Sequence, residues 1–354
     1  MLLSKLDRRV LTTLKESALK RVQPGLRIAV GGNCQSFGIA YAMKLLNVGA
    51  SVDLFPMDRR SKITGNMLAR ALRSYDHVFL QPFDEQRVRK GSWELLDAKL
   101  TNVTWYPGLL FAGYHPDSIF VSDRTKGDAF VSGPIGQHHS ALALFAYRAG
   151  LSPEAALRLY TSEVFDTLGY FDVWHAASAQ FLEAASYYSL DLRADFIRWT
   201  RRGCFMYSIN HPKPHVIFDV ARRLLEKAGV SSQPVDFDHY AVDDLARDTV
   251  FPVYPDIADH FGIAGGYVFK APAHAAGALK IGDFWDLLGF ICESYRVYAH
   301  RDADQLANDR VQGWLEDPEI SNFMREIGSP GSRRAPAERR AHAPLAEFAP
   351  IAAS

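Results

Sequence analysis

This chain has little of what would mark a disulfide scaffold, a nucleic-acid binder or a membrane span. Only three cysteines, Cys34, Cys204 and Cys292, occur in 354 residues. They are odd in number and widely spaced, so no disulfide framework is expected, and a reducing cytoplasm fits. No two of them stand at zinc-ligand spacing, and no metal is expected. Lys plus Arg and Asp plus Glu each number 40, so the formal charge is zero. That balance excludes a general nucleic-acid footprint, which needs a basic excess or stripe. No uncharged apolar run reaches transmembrane length. Lys5, Asp7, Arg8, Arg9, Lys15 and Glu16 interrupt any apolar core of a signal peptide. The first glycine turn has neither G-x-G-x-x-G nor G-x-x-x-x-G-K, so neither nicotinamide binding nor nucleoside triphosphate hydrolysis has direct support. There is no internal repeat.

What is present begins with Gly31-Gly32-Asn33-Cys34-Gln35. The apolar run Leu26–Val30 before it reads as a buried strand, and Ser36–Asn47 after it reads as a helix. A thiol therefore stands at the first strand-to-helix turn. In open α/β folds that crevice, at the carboxyl ends of the strands, is where ligands bind. A helix N-terminus also favours the thiolate. Two readings of Cys34 stand side by side: a small core hydrophobe, as free cysteines often are, or a reactive thiol in a polar pocket flanked by the amides of Asn33 and Gln35. Cys204 and Cys292 lie in segments that read as packed, so Cys34 is expected to be the most reactive of the three.

Strand and helix alternate through the first third. Ser51–Phe55, His77–Gln81, Asn102–Trp105 and Ser118–Val121 read as further strands, with helices at Asn66–Ser74 and Glu85–Ala98. Such alternation predicts parallel strands with helical crossovers. From Pro134 onward helices dominate: Ser140–Ala149, Pro153–Leu168, Val173–Leu190, Ala194–Arg202, Val216–Ala228 and Asp283–Ala299. The expected organisation is an N-terminal amphipathic helix in 1–24, an α/β domain in 25–133, a helical lobe in 134–328 and a disordered tail in 329–354. The fold class is thus α/β, a parallel-sheet (Rossmann- or SGNH-like) N-terminal lobe with a largely helical C-terminal lobe.

Four further segments carry candidate chemistry. In Gly113-Tyr114-His115-Pro116-Asp117, a proline between His115 and Asp117 predicts an extended loop, and a histidine oriented by a carboxylate is a recurring general base. A plain surface turn is the alternative. Gly133–Ser140 precedes a helix, where the adjacent His138 and His139 could bind an anion or Ser140 could simply cap. In Asn210-His211-Pro212-Lys213-Pro214-His215 the prolines forbid a helical metal pair, but Asn210 and His211 in a constrained turn can face a site. Arg59, Arg60 and Lys62 follow the second strand, where phosphates of a nucleotide are read in related folds; a solvated basic loop is the alternative.

Gly32-Asn33-Cys34-Gln35, then Gly113–Asp117, then Asn210-His211-Pro212, in that order, resemble the WcbI family of polysaccharide biosynthesis proteins. Gly133–Ser140, leading into Leu151–Ala156, is similar as well, although His138 stands where that family's pattern has tyrosine. The resemblance runs from about Arg27 to Val230. It implies a cytoplasmic enzyme of capsule or surface-glycan assembly, acetyltransferase-like, with coenzyme A bound near the cysteine motif. Carried over residue by residue, it makes Cys34, His115, Asp117 and His211 catalytic candidates. Gly32, Asn33, Gln35, Ser36, Arg59, Arg60, Lys62 and His139 become candidates for binding acetyl-coenzyme A. The acceptor would be a sugar or glycan. Two mechanisms stay open: Cys34 carries the acyl group as a thioester, which its helix-start position favours, or a histidine deprotonates the sugar hydroxyl for direct attack. In the second, free N–H groups of the first helix would hold the oxyanion. The rival readings are an SGNH-like carbohydrate esterase and a non-catalytic protein that binds glycan or coenzyme A. The stretch from Ser231 onward resembles nothing, and acceptor specificity could lie there.

Overall fold

The computed structural model describes residues 4–19, 25–57, 60–127, 129–273 and 283–329. The apolar run before the glycine turn becomes strand β1 (Arg27–Gly32), buried along its whole length. It pairs in parallel with β2 (Ser51–Pro56) on one side and β3 (His77–Leu80) on the other, and β4 (Val103–Trp105) extends the sheet beyond β3. The order is therefore β2-β1-β3-β4. The chain leaves β1 toward one edge and returns to its other side, so the carboxyl end of β1, facing β3, is the topological switch point of the sheet.

The side-chain alternation of β1 divides the core in two. Ile28 and Val30 join one apolar cluster, Ala29 the other. The Ala29 face is covered by α1 (Lys5–Ala18) and α3 (Gly65–Leu72), through Leu6, Val10, Leu68 and Leu72. The opposite face is covered by α2 (Gln35–Leu46) and by the helical part of the chain, whose buried residues reach Phe290 and Met324 in the same cluster. That part includes α4 (Ala141–Arg148), α5 (Val173–Tyr187), α6 (Arg193–Arg201), α7 (Pro214–Lys227) and α8 (Leu287–Tyr298). Helix α7 lies against α2 at Gly38, where a Cβ would come within 2.9 Å of Ile217 Cγ2. This close crossing places the turn before α7 beside the start of α2. Buried Asp195 of α6 accepts from Arg198 and Arg223, and Asp219 of α7 from Trp199, Arg198 and Arg222, so the two helices are clamped by charge-assisted bonds.

Three expectations are corrected. Ser118–Val121 does not extend the parallel sheet: β5 (Ser118–Phe120) pairs antiparallel with β6 (His138–Ser140). No helix separates β4 from β5, and a parallel return needs such a crossover. Glu85–Ala98 is helical only at Trp93–Asp97, because Val88-Arg89 pairs with Ser61–Thr64 and Gly91 abuts Gly65. Pro153–Leu168 breaks into Pro153–Leu157 and Ser162–Thr167, the second restarted by the Thr161 cap. Apart from Ser329, which caps the last helix, the expected tail lies outside the described residues.

Helix α1 appears where its apolar spacing predicts it, and Asp7 fixes it to the domain. Asp7 closes a capping box with Ser4 and also accepts from Ser61 Oγ, Lys62 N (2.9 Å) and Ile63 N (3.2 Å). Burial pushes its carboxyl up, but these bonds pull harder and hold it at about 2. In the unfolded chain the value is about 3.9. A depressed carboxyl stabilises the fold above its unfolded pKa, and that contribution fades as pH falls from about 4 through about 2. Asp7→Asn is expected to cost about 2 kcal/mol at neutral pH. Urea unfolding of both proteins should show the gap closing toward pH 2. A gap as large at pH 2 as at pH 6 would contradict this role.

Candidate active site

Cys34 is the first residue of the turn into α2, with helical backbone angles (φ −54°, ψ −27°) and no side-chain capping bond. Its expected easy ionisation is reversed. The thiol is pushed up to about 12, first by desolvation on its protein side and then by the charge of Asp248, with Asp244 adding to it. The N–H groups of Cys34 and Gln35 pull the other way and lose. The residue keeps surface open to solvent, which weakens desolvation, but the two carboxylates oppose the thiolate regardless. Cys292 is exposed too, and Cys204 is partly buried, so the segment holding Cys292 does not shield its thiol as expected.

Gln35 is nearly fully buried and every atom of its amide is used. Nε2 donates to the carbonyls of Leu109 (2.9 Å) and Asn210 (2.8 Å); Oε1 accepts from Leu109 N (2.9 Å) and Gln81 Nε2 (3.2 Å). Gln81, at the end of β3, also accepts from Asn33 N through Oε1 (2.8 Å). A Cβ at Gly32 would stand 2.3 Å from that oxygen, so only glycine fits there. Asn33 takes Gln35 N on its side chain, and its carbonyl takes Ser36 N and Ser36 Oγ. The N–H groups of Asn33, Gln35 and Ser36 are thus already bonded, contrary to the expectation that this turn offers them free.

The Gln35–Asn210 bond puts the next residue, His211, beside the cysteine turn. Strands β7 (Met206–Ser208) and β8 (His211-Pro212) form a tight antiparallel pair around it. His211 is buried. Its Nδ1 lies 3.4 Å from the Thr249 carbonyl, which can only accept, so a proton on Nδ1 suits this contact and would leave the lone pair on Nε2. Nε2 is 3.9 Å from Asp248 Oδ2. Burial lowers the His211 pKa, and Asp248 offsets part of that. The result is a neutral imidazole suited to accept a proton. Behind it, the His138 ring stands 5.7 Å away at 68°, with its nitrogens near Ser118 Oγ (3.3 Å) and Ser208 Oγ (3.4 Å).

A cleft opens at Cys34, between α2, the start of α7 and the segment 237–245. Its walls are Gly38, Ala42, Pro212, Pro214, Ile217, Phe237, Val242 and Leu245, with Tyr41, Asp243 and Asp244 as the polar members.

Other candidates lie elsewhere or are used internally. His115 and Asp117 do not form the expected pair. The loop turns, with His115 N on the Ala112 carbonyl and Ser118 N on the His115 carbonyl, so the two side chains diverge. Asp117, fully buried, accepts from Tyr170 OH (2.7 Å), Leu142 N (3.0 Å) and Tyr254 OH (2.6 Å), and its carboxyl is raised by burial. His115 packs edge-on against Phe251, neither ring nitrogen is hydrogen-bonded among the described residues, and burial lowers its pKa to about 4. His139 spends Nδ1 on Tyr298 OH (3.0 Å) and Nε2 on the Val131 carbonyl (2.9 Å); Ser140 caps α4. Arg60 and Lys62 are exposed past the carboxyl end of β2 and do not line the cleft. Arg59 lies outside the described residues. Sequence reasoning missed Gln81, Asp244 and Asp248. Only Gln81 had a signal, a polar residue ending the strand next to β1. Among the described residues no group of His, Cys, Asp and Glu could hold a metal, and no helix is long and apolar enough to cross a membrane.

Residues 27–233, more than half of the chain, match the family model described as polysaccharide biosynthesis enzyme WcbI. No curated protein and no solved structure matches. The matched span holds Cys34, Gln35, Gln81 and His211 and ends before Asp244 and Asp248.

Gln35→Leu would strip the Leu109 amide and the Leu109 and Asn210 carbonyls of their Gln35 bonds and leave the Gln81 amide only its 3.5 Å bond to the Pro107 carbonyl. It is expected to cost about 3 kcal/mol or more, whereas Cys34→Ala at the solvent-facing rim should cost under about 1 kcal/mol. Urea denaturation separates the two. Equal, small losses would show that the amide is not the lock described.

Proposed function

Since the chain belongs to the WcbI family of polysaccharide biosynthesis enzymes, we propose that it moves an acyl group, acetyl in the simplest case, from coenzyme A to a sugar hydroxyl at the Cys34 cleft. One observation carries this reading: a buried His211 of lowered pKa, with Asp248 3.9 Å from its Nε2, directly precedes Pro212 in the wall of the cleft that Cys34 lines. The acceptor hydroxyl gives its proton to His211 Nε2 while its oxygen bonds to the thioester carbonyl carbon. The carbon–sulfur bond then breaks, and the coenzyme thiolate takes the proton back from the imidazolium. Asp248 offsets the positive charge that forms in between.

The raised thiol pKa favours direct attack over an acyl-cysteine, because a protonated sulfur is a poor nucleophile. The apolar walls suit the uncharged acyl end of the donor. No residue lining the cleft is basic, so the donor's phosphates would lie outside it. With water in place of the sugar the same groups would make an esterase.

Acetyl-coenzyme A should raise the melting temperature. Intact mass after incubation should show no lasting acetyl adduct on Cys34. Coenzyme release in the presence of a sugar panel should fall by roughly 10²- to 10⁴-fold in His211→Ala and far less in Cys34→Ala. An adduct that maps to Cys34 would restore the covalent route. No thermal shift with the coenzyme, together with sugar-independent ester cleavage, would replace the transferase by an esterase.

A further inference from the structure

The position of Asp248 carries more than a counter-charge for one histidine. The segment that holds it is fixed from several sides. Asp243 accepts from Ala246 N (2.9 Å) and from Tyr207 OH; Thr249 Oγ1 donates to the Ile135 carbonyl (2.6 Å); Val250 exchanges both backbone bonds with Lys270 (3.1 Å each). Within that frame Asp248 Oδ1 accepts from Thr249 N (2.9 Å), which orients the carboxylate and leaves Oδ2 toward His211 Nε2 at 3.9 Å. That distance is too long for a hydrogen bond and short enough for a strong charge effect. The same carboxylate is part-exposed, and its charge also opposes ionisation of Cys34.

We propose that Asp248 is a positioning residue for this site, one carboxylate that keeps Cys34 a thiol while readying His211 to take a proton. Its catalytic meaning rests on the acyl-transfer reading, but the charge coupling itself does not. The other ionisable groups around the pair are Asp244, at the cleft wall on the Cys34 side, and His138, behind His211. The Lys213 ammonium lies over the Tyr207 ring, 5.6 Å from its centroid. Asp248 falls outside the span 27–233 that matches the family, so this half of the site is supplied by a different part of the chain.

The test uses the full chain with no coenzyme and no sugar. Iodoacetamide labelling at fixed pH, followed by peptide mapping, reads Cys34; a histidine NMR titration, with His211 assigned by His211→Gln, reads the imidazole. In Asp248→Asn, labelling of Cys34 should rise about three- to tenfold, the change in thiolate fraction that accompanies a fall of about 0.5–1 in pKa. The His211 midpoint should fall at the same time. Asp248→Ser, a second neutral variant, should give the same pair of changes, and Asp248→Glu should stay near the parent. Simple loosening of the segment would expose both groups, so Cys34 would label faster but the His211 midpoint would rise. That outcome, unchanged values in both groups, or a Glu variant that behaves like Asn would overturn the proposal. Failure to find acyl transfer would leave these readouts untouched, so the two readings fail separately.

Discussion

The side-chain amide of Gln35 ties together stretches of chain that lie far apart in sequence. One carboxamide joins the β1–α2 turn to the loop at Leu109, to the turn at Asn210 and to Gln81 at the end of β3. The bonds to Leu109 and Gln81 are buried, so they cannot be exchanged for water without cost, and the bond to Asn210 is part-buried. It adds a specific bond to the approach that the α2–α7 crossing already gives Cys34 and His211. Through it the residue after Cys34 is bonded to the residue before His211. The glycine at position 32 follows from the same lock, because Gln81 occupies the space a side chain would need.

Electrostatics then decide what the assembled groups can do. A helix N-terminus favours a thiolate, and on that ground alone Cys34 should be a nucleophile. The nearby carboxylates Asp248 and Asp244 and the desolvated protein side of the thiol oppose it, and they prevail. The same Asp248 charge partly offsets the burial that lowers His211. One negative charge thus disfavours the ionised sulfur and favours the protonated imidazole, and this is the ground on which the histidine rather than the thiol is proposed for the chemistry.

Much of the fold was legible in the sequence because it rests on local patterns. The four sheet strands, α1 and α2 announce themselves by apolar runs, apolar spacing and glycine turns, and the position of Cys34 at the crevice follows from them. The fifth expected strand went astray because pairing partners are chosen over long range: nothing local in Ser118–Phe120 shows that His138–Ser140 will claim it. The site was half legible. His211 could be singled out from its proline-bounded turn. His115 and Asp117 looked like a dyad because two residues spaced by a proline suggest an extended loop, whereas the backbone turns and buried tyrosines take the carboxylate. Asp248 carries no motif at all. Its role arises from a segment packed more than thirty residues away in sequence from His211, and only the folded chain reveals it.

The central claim is that the reacting thioester sits between Cys34 and His211. A crystal structure with a non-hydrolysable acetyl-coenzyme A analogue tests it most directly. The account predicts the analogue's carbonyl carbon in the 237–245 cleft, within about 4 Å of the cysteine sulfur and with room for an acceptor oxygen between it and His211 Nε2. An analogue bound with its acyl end outside that cleft, or turned toward His115, would contradict it.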